Sequence, residues 1–559
     1  MEKRLLFAIV LSFLVIFAYQ ALFVKKQPPQ QTEPYQASEQ TSSPEPSKEN
    51  EPPIATQPQV EEQPFEPLSP VSAEKETDIL VETPLFRAVW SNKGAVLKSF
   101  LLYLKEEEES VELVANRTAN QTWPFSIRTE YSSEYLKSSM LESPLDKKLN
   151  QNVLYDFSTS NLLLRAGETG ELRLIYADEE VQVEKKFIFN GDSYHFSVNI
   201  NVRKNGRPID PQILWGPGFG SASLEEQKGR FVGGDGAVFF NGQKASRYEE
   251  KKYKERQGMD GLVWAAYESN YFAALFLPSR NTLSASFFKD PNQEALQYYL
   301  AVDGIGEAFI GPKEYDTLSS YGHQSKKLIR FGLFGWIAEI LLKTIKAVHS
   351  VFPNWGISIM IMTLIIKVLF FPLTYSSTKS MAKMQEIQPK IKALRNKYKK
   401  AKQDMAERRK MNEEMMKLYK EQGINPAGGC FPMLIQIPIF WGFFQLLRVS
   451  IEFRKSPFIL WIKDLSVKDP YYITPILMGI TQYISQKMTP TAADNTQQKM
   501  MLILPVVMTI FFLNFQSGLI LYWLTNNLLQ IVQQSIMNKM MHKKKSTSHG
   551  KQGKQRSKK

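Results

Sequence analysis

The sequence predicts a polytopic α-helical membrane protein with six transmembrane helices and a large antiparallel β-sandwich domain between the first two. Several apolar runs are long enough to cross a bilayer, and a long region of period-two alternation separates the first run from the others. The charge also divides the chain. Residues 25–330 carry 34 Lys and Arg against 44 Asp and Glu, whereas residues 331–559 carry 33 against 11. Basic residues between apolar runs favour a membrane surface over nucleic acid as the partner.

Residues 1–24 are predicted to form an N-terminal transmembrane anchor. The run from Leu5 to Val24 holds twenty uncharged residues, which is enough to cross about 30 Å of hydrocarbon. A cleaved signal peptide is the alternative, but the run is long for that role and no small-x-small cleavage site precedes Lys25. We therefore expect an uncleaved anchor with the N-terminus in the cytoplasm.

Residues 25–75 are predicted to be a disordered linker rich in Pro, Glu and Gln. Between Gln27 and Pro70, eleven of the 44 residues are proline and eight are glutamate. Such a segment buries too little apolar area to offset the entropy lost on ordering. We expect it to serve as a tether.

Residues 76–320 are predicted to form the β-sandwich domain. Apolar and polar residues alternate from Tyr194 to Val202, after the pair Asn190-Gly191. Asn-Gly favours a tight reversal because it accepts positive φ angles, so a hairpin is expected there. Similar short runs recur along the region, such as Leu172–Tyr176 and Ser284–Phe288. About 240 residues of this pattern indicate a large antiparallel sandwich.

The composition of the β-sandwich region argues against catalysis and against a bound cofactor or metal. Cys430 is the only cysteine of the chain and lies outside the region, so no intramolecular disulfide can form. The region shows no nucleophile elbow and no metal-ligand spacing, and His195 lies between strand residues, where a structural histidine is the more common case. We expect a protein that is not an enzyme and needs no cofactor.

Residues 328–348 are predicted to form an amphipathic helix in the membrane interface. Glu339, Lys343 and Lys346 fall at i, i+4 and i+7, which makes a narrow polar stripe on an otherwise apolar helix. The alternative is that this segment is the last helix of the soluble domain and packs on the sandwich.

Five further spans are predicted, and the charges of their connections orient them. The spans are residues 356–375, 430–449, 471–486, 500–515 and 518–537. Residues 376–425 hold fourteen Lys and Arg against six Asp and Glu, and Lys539 to Lys559 hold nine and none. The positive-inside rule therefore places the 376–425 segment, predicted as a helical hairpin, and the basic tail 538–559 in the cytoplasm. Both termini are then cytoplasmic, and the β domain lies on the opposite side.

Lys367 is the most informative residue, because it stands well inside the second span. A charge at this depth is unfavourable by roughly 2.5–3.5 kcal/mol on insertion scales. It could snorkel to the cytoplasmic interface near Tyr375, but eight residues of helix rise about 12 Å, and a lysine stem reaches about 6 Å. No Asp or Glu occurs inside the spans. We expect Lys367 to face a hydrated interior site lined by neutral polar groups.

Neutral polar residues that could line this site occur on each of the five later spans. Helical spacing places Thr363 and Thr374 on the side of Lys367. The other candidates are Gln436, Gln445, Thr481, Gln482, Ser485, Asn514, Asn526, Asn527, Gln530, Gln533 and Gln534. Aromatic residues that could contact an apolar substrate are Phe440, Trp441, Tyr522 and Trp523.

Spaced motifs in the last 250 residues resemble those of the YidC-type insertases of the YidC/Oxa/Alb family. They are Gly311-Pro312-Lys313, Asn354-Trp355-Gly356-Ile357-Ser358-Ile359, Asn425-Pro426-Ala427-Gly428-Gly429-Cys430-Phe431-Pro432 with Gln436-Ile437-Pro438-Ile439-Phe440, Asp469-Pro470-Tyr471-Tyr472, and Phe515-Gln516-Ser517-Gly518-Leu519 with Leu521-Tyr522. The resemblance covers residues 1–24 in organisation and about 310–540 in motif.

The resemblance implies an insertase core of five helices plus the N-terminal anchor, in the cell inner membrane with the β domain in the periplasm. The core would hold a groove that is open to the cytoplasm and to lipid, with one positive residue. That residue is arginine in much of the family, and Lys367 occupies its place here. The substrate groove would comprise Lys367, Thr363, Gln436, Asn526, Gln530, Tyr522 and Trp523.

The expected function is to insert nascent membrane proteins and release their transmembrane helices into the bilayer, alone or with the Sec translocon. The hairpin and the basic tail would contact the ribosome, and the core would contact membrane lipids. Two alternatives stay open at this point. One is a transporter or channel for a small anion bound by Lys367, and the other is a structural membrane assembly factor anchored by the β domain.

Overall fold

The structure is a computed structural model, and it describes residues 70–556 except for 105–109, 116–121, 130–142, 221–234, 251, 253–255, 290–296, 399–403, 425–430 and 490–494. The predicted N-terminal anchor, most of the linker and the motif beginning at Asn425 lie outside the described residues.

Within the described residues, the β domain contains twenty strands. In chain order they are β1 (Asp78–Glu82), β2 (Phe86–Ser91), β3 (Val96–Leu102), β4 (Val111–Glu112), β5 (Ile127–Arg128), β6 (Asp156–Phe157), β7 (Asn161–Leu163), β8 (Thr169–Ala177), β9 (Val181–Asn190), β10 (His195–Lys204), β11 (Arg207–Ile209), β12 (Gln212–Trp215), β13 (Gly236–Phe240), β14 (Ala245–Glu249), β15 (Gln257–Leu262), β16 (Trp264–Glu268), β17 (Phe272–Pro278), β18 (Leu283–Lys289), β19 (Tyr298–Asp303) and β20 (Ile305–Pro312).

The strands form one ten-stranded sheet and two five-stranded sheets. The large sheet has the order β14-β13-β16-β17-β20-β10-β9-β8-β6, with β11 paired to β10; the small sheets are β4-β3-β2-β1-β7 and β15-β18-β19-β12-β5. All pairings are antiparallel except β1 with β7. Aromatic side chains join the sheets across the core, with ring centroids 4.3 Å apart for Trp90 and Phe187 and 6.2 Å apart for Tyr267 and Phe287. The prediction of a domain rich in antiparallel sheet is confirmed.

The hairpin predicted from the alternating residues is β9–β10, in which Val183 pairs with Val202. The reason given for its turn is wrong, because neither Asn190 nor Gly191 has a positive φ angle. A Cβ on Gly191 would lie 2.0 Å from the carbonyl oxygen of Arg165. Glycine is therefore required by the close approach of a neighbouring backbone.

The predicted linker extends too far at its C-terminal end. The backbone of Val71 exchanges two 2.9 Å hydrogen bonds with that of Ala177, and the amide of Ala73 donates to the carbonyl of Leu154 at 3.1 Å. These residues belong to the β domain, because apolar residues after the Pro-rich segment find unpaired backbone groups at the edge of the large sheet.

The described helices begin with the short α1 (Pro144–Lys147) inside the β domain and continue after it. They are α2 (Tyr315–Ser320), α3 (Gly335–His349), α4 (Trp355–Leu369), α5 (Phe371–Glu386), α6 (Gln388–Lys397), α7 (Met405–Glu421), α8 (Phe431–Val449), α9 (Ile473–Met488), α10 (Asn495–Phe512) and α11 (Ser517–Arg556). A π-helical turn spans Lys148–Asn152, and 3-10 turns span Ser325–Leu328 and Ile451–Phe453.

Helix α3 is the helix predicted over 328–348, but it begins seven residues later, at Gly335. Its apolar face packs on α8 and α4, and it belongs to the same buried cluster as side chains of β13, β16 and β17. That face consists of Ile337, Ala338, Leu341, Leu342 and Ile345. Its polar stripe meets α2 instead, where the hydroxyl of Tyr315 donates a hydrogen bond to Glu339. A position in the membrane interface stays a prediction.

Lys346 of the polar stripe joins the β domain to the helical core. Its Nζ lies 2.7 Å from Asp316, 3.4 Å from Glu314 and 3.0 Å from Glu452, a carboxylate whose side chain is 6% exposed. Although burial alone would lower the pKa of Lys346, the three carboxylates raise it above its usual value. Burial raises the pKa of Glu452, and the attraction of Lys346 offsets this only in part.

The helices α6 and α7 belong to a separate compact unit, residues 386–426. They lie side by side, because Lys397 and Tyr398 at the end of α6 both bind the Glu414 carboxylate of α7, at 2.9 and 2.8 Å. This arrangement agrees with the expected helical hairpin. The apolar residue Ile391 of α6 is buried.

The six straight spans are not confirmed by these helices. No described helix is by itself long and apolar enough to qualify as a membrane span; α4 and α5 qualify only as a pair, with a bend of 60° between them. The second predicted span is therefore a broken helix. Pro372 explains the break, because it has no N–H for the carbonyl of Val368 and its ring would clash with that carbonyl in a continuous helix.

The last helix is longer than its predicted span. Helix α11 continues beyond Met537 to Arg556, into the segment expected as a separate basic tail. No proline occurs in this segment, and its first glycine is Gly550, so the sequence contains no strong stop signal after Met537.

Candidate functional site

Lys367 lies in the last turn of α4, immediately before the bend. A cation at this end of a helix is stabilised by the partial negative charge of the unpaired carbonyl groups. The bend also changes the distance argument made from sequence. Because α4 ends at Leu369, the path from Lys367 to Tyr375 does not follow one straight helix.

The ammonium of Lys367 donates a hydrogen bond to Oε1 of Gln530 on α11, at 2.8 Å. Both side chains are half-buried, and α4 and α11 pack against each other. Among the described side chains, no carboxylate forms an ion pair with Lys367, and α11 contains no acidic residue. A neutral amide therefore stabilises this cation. Gln530 is one of the neutral polar residues that the sequence predicted to line the site.

A second polar pair links α8 to α11. Nε2 of Gln436 donates to the hydroxyl of Tyr522, which is buried and packs its ring 4.8 Å from that of Phe443. Tyr522 precedes Gln530 by eight residues on α11, a rise of about 12 Å. The two pairs therefore mark two levels along one helix.

Trp523 lies at the junction of four helices. Its Nε1 donates to Oε1 of Gln482 on α9 at 3.1 Å. Its ring centroid lies 5.0 Å from that of Phe440 on α8 and 5.3 Å from that of Phe512 on α10. These contacts account for Trp523 by packing, so its role toward a substrate stays a prediction.

Thr363 and Asn526 occupy the positions expected from helical spacing. Thr363 is buried one turn before Lys367 and donates its hydroxyl to the carbonyl of Ile359 at 2.7 Å. Asn526 is half-buried one turn before Gln530. Residues four apart share a helix face, so both flank the Lys367–Gln530 pair.

Three residues from the wider lining set are placed elsewhere. Gln445 lies against Gly332, ahead of α3. Asn514 is exposed in the turn between α10 and α11. Thr374 follows the bend, so the straight-helix spacing that put it beside Lys367 does not apply. Sequence reasoning missed this because the Phe371-Pro372 signal was not used.

The helical core exposes many large apolar side chains. Four helices each present several of them on one side: α4 (Leu364, Ile365, Val368, Leu369), α9 (Ile476, Leu477, Ile480, Ile484), α10 (Ile503, Leu504, Val506, Val507, Ile510) and α11 (Leu528, Val532, Ile536). An exposed apolar surface of this extent marks a membrane or partner contact. Within the described residues, no group of His, Cys, Asp or Glu has the arrangement of a metal site.

Comparisons with known proteins cover the same two parts of the chain. Residues 347–545 match the family model described as "60Kd inner membrane protein", and residues 78–344 match that of the "YidC periplasmic domain". The membrane protein insertase YidC of Geobacter sp. (strain M21) is 35% identical over 479 residues, which cover 83% of this chain and 85% of that protein. That of Geotalea uraniireducens (strain Rf4) is 36% identical over 482 residues, which cover 83% and 87%.

Among solved structures, the active YidC insertase crystal structure with its first transmembrane domain resolved covers 84% of this chain and 94% of its own, at 19% identity and a TM-score of 0.34. The two family models together span most of the chain, and the relatives exceed 30% identity over most of their length. The chain belongs to the YidC family of membrane protein insertases.

Proposed function

We propose that this protein inserts nascent membrane proteins through a polar groove between α4 and α11, in which Lys367 receives polar segments of the substrate. One observation supports this proposal above others. Lys367 is held by the neutral amide of Gln530 and has no described carboxylate beside it. A permanently neutralised cation would be bound to an acid, whereas one that rests on an amide can exchange that partner for a substrate group.

The proposed step is an exchange of hydrogen bonds and involves no covalent chemistry. A short polar segment enters the groove and takes the place of Gln530 beside Lys367. The protein groups replace part of the water that the segment loses, which lowers the barrier to moving it part-way across the bilayer. Acidic residues of the substrate are stabilised most, because they form an ion pair with the ammonium of Lys367.

Release of the substrate would follow from its apolar helix. Lipid or an apolar partner would contact the exposed apolar sides of α4 and α11, next to the proposed groove. A substrate helix that leaves sideways gains about 25 cal/mol for each Å² of apolar surface removed from water. No other energy source is needed for this part of the step.

The proposed placement follows the distribution of charge. The protein would lie in the cell inner membrane with both termini in the cytoplasm and the β domain in the periplasm, because Lys and Arg concentrate in residues 376–425 and in the tail. The basic residues of the hairpin and the tail would bind ribosomal RNA or anionic lipid. The protein would act alone or with the Sec translocon as a partner.

Site-specific crosslinking in reconstituted vesicles tests the proposal. A photoreactive probe at Thr363 or Asn526, which flank Lys367, should crosslink to a nascent membrane protein during insertion. If probes there react with lipid alone while insertion proceeds at its normal rate, the groove is not the route.

Charge variants provide the matched test. Lys367→Ala should slow insertion and Lys367→Arg should preserve it, because guanidinium keeps the charge. Lys379→Ala is the control, since it removes one exposed positive charge from the neighbouring helix α5. If Lys367→Ala and Lys367→Arg slow insertion equally, the Lys367 side chain acts through packing and not through its charge.

A further inference from the structure

The loop between α8 and α9 is an unusually well-bonded connection. Residues 456–469, called here the α8–α9 loop, are held by bonds within the loop, such as the amide of Phe458 to the carbonyl of Ile462 at 3.0 Å and the amide of Leu465 to the carbonyl of Ser456 at 3.1 Å. Ser456 and Leu465 are both buried. Exposed connections of this length are usually mobile, so such internal bonding indicates a rigid element.

The α8–α9 loop binds the first turn of α11. Its carbonyl groups accept hydrogen bonds from the backbone amides there, Val467 from Ser517 at 2.7 Å and Leu465 from Gly518 at 2.9 Å. The hydroxyl of Ser517 also donates to Val467, at 2.8 Å. The unpaired N–H groups of a helix start are thus satisfied by the loop itself.

The same loop binds the first turn of α4. Oδ1 of Asn354 caps this helix by accepting from the amide of Ile357 at 3.0 Å, while its Nδ2 donates to the carbonyl of Phe458 at 3.0 Å. The Phe458 ring lies so close to Gly356 that a Cβ there would approach its Cδ2 to 2.1 Å. One asparagine therefore both begins α4 and ties it to the loop.

Asp469 ties the loop to α9. Its buried carboxylate accepts hydrogen bonds from the amide and hydroxyl of Thr474 at 2.7 and 2.8 Å, from the amide of Tyr471 at 2.9 Å, and from Nε1 of Trp461 at 3.1 Å. Burial alone would raise the pKa of Asp469, but these hydrogen bonds hold it below its usual value. Asp469 is therefore ionised, and each of its carboxylate oxygens accepts two hydrogen bonds.

These contacts fix one end of the two helices that hold the groove pair. Asn354 and Lys367 are thirteen residues apart, so about 20 Å of α4 separates the tied end from the charge. At this level of the described structure, Lys367 is linked by its hydrogen bond to Gln530, the fourteenth residue of the forty-residue α11. Two helices that are held by backbone hydrogen bonds at one end, and by an exchangeable side-chain hydrogen bond further along, can separate there by rotation about the held end.

We infer that the α8–α9 loop is a pivot for α4 and α11, with Asp469 and Asn354 as its positioning residues, and that a substrate opens the groove by separating the segments of α4 and α11 that carry Lys367 and Gln530. This inference rests on the proposed function for its purpose. The geometry of the pivot can be measured without reference to insertion.

The test measures the separation of the two helices at the level of Lys367 and Gln530. In a Cys430→Ser background, Val368 on α4 and Val532 on α11 are each replaced by cysteine and spin-labelled. These two valines are 65% and 56% exposed. Pulsed electron–electron double resonance in nanodiscs gives the distribution of distances between the two spin labels. Circular dichroism and thermal unfolding of each variant establish that it is folded.

Asn354→Asp is the sharpest variant, because it keeps the oxygen that caps α4 and removes only the donor to Phe458. Asp469→Asn replaces one oxygen by a donor that faces Thr474. Each should at least double the width of the distance distribution and slow insertion several-fold. Asp464→Asn is the matched control, because the Asp464 carboxylate accepts hydrogen bonds from the amide and the hydroxyl of Ser466, within the loop, both at 2.7 Å. It should change neither quantity.

An unchanged distribution in folded Asn354→Asp would overturn the pivot, and so would equal broadening in Asp464→Asn. If Asp469→Asn does not fold, Asn354→Asp alone decides. Broadening with normal insertion would support the pivot and contradict the groove proposal, so the two failures are distinguishable.

Discussion

Replacing Gln530 by glutamate is expected to convert the exchangeable contact of Lys367 into an internal ion pair. The two side chains already meet at 2.8 Å, and α4 and α11 contain no acid that would repel the new carboxylate. A substrate carboxylate would then have to displace another carboxylate from the ammonium, whereas it now displaces an amide. Insertion of acid-bearing substrates should therefore slow selectively.

The size of the effect follows from the geometry. Two unit charges about 4 Å apart attract by about 4 kcal/mol at an effective dielectric constant of about 20. The hydrogen bond from Lys367 to Gln530 that is lost contributes about 1.5–3 kcal/mol. The remaining advantage of about 1–2.5 kcal/mol corresponds to a change of about 5- to 70-fold in rate.

The assay compares two model substrates that differ only by Asp or Asn in the segment to be translocated. Their insertion rates are measured in proteoliposomes that contain wild-type protein, Gln530→Glu or Gln530→Leu. The Asp/Asn rate ratio should fall about tenfold with Gln530→Glu and should not fall with Gln530→Leu, which leaves Lys367 free to pair. Added salt should reduce the difference. An unchanged ratio in Gln530→Glu would refute the role assigned to Lys367.

Three further predictions concern stability and are read from unfolding of the purified full-length protein. Lys346→Met should destabilise it by about 3–5 kcal/mol, because Glu452 stays buried without its cation. Gly479→Ala should destabilise it by about 1–3 kcal/mol, since a Cβ there would lie 2.0 Å from Oγ1 of Thr509. Lys185 is fully buried and burial lowers its pKa from 10.5 to about 7. Stability should therefore be lost as the pH falls from about 10 toward 7, and Lys185→Met should remove this dependence.

Each of these predictions has a control. Lys343→Met removes an exposed lysine of the same helix and should change the unfolding free energy by less than about 1 kcal/mol. Gly322→Ala is the control for Gly479→Ala. A Cβ at Gly322 would meet no atom within 4 Å, but the backbone has a φ of +71°, so this variant measures backbone strain without a steric clash. For Lys185, unfolding midpoints at pH 7 and 9 that rise equally in the wild type and in Lys185→Met would contradict the assignment.

Sequence reasoning predicted the β domain well where the signal was local. The alternation in β9 and β10 follows from side chains that point to opposite faces, and the structure pairs these strands in the expected hairpin. The Asn190-Gly191 turn was explained wrongly, because the approach of Arg165 is a long-range contact. The hydrophobic period identifies a strand, but it does not report which backbone passes beside a turn.

For the helical core, local signals located the helices and misjudged their ends. The bend after Leu369 follows from Pro372, a signal that was present in the sequence. The ties from the α8–α9 loop to Asn354 and Ser517 could not have been inferred, since these residues lie far apart along the chain and carry no mark of pairing.

The sequence by itself determined the family and the division into a β domain and a helical core, and it singled out Lys367 as the candidate site residue, because each depends on local composition or on contiguous motifs. Only the tertiary structure decided that Gln530, out of about a dozen polar candidates, is the partner of Lys367. It also decided that Lys346 joins the β domain to Glu452. The physical reason is that a side chain reveals its charge and volume in the sequence, whereas its partner is set by how helices from distant parts of the chain pack together.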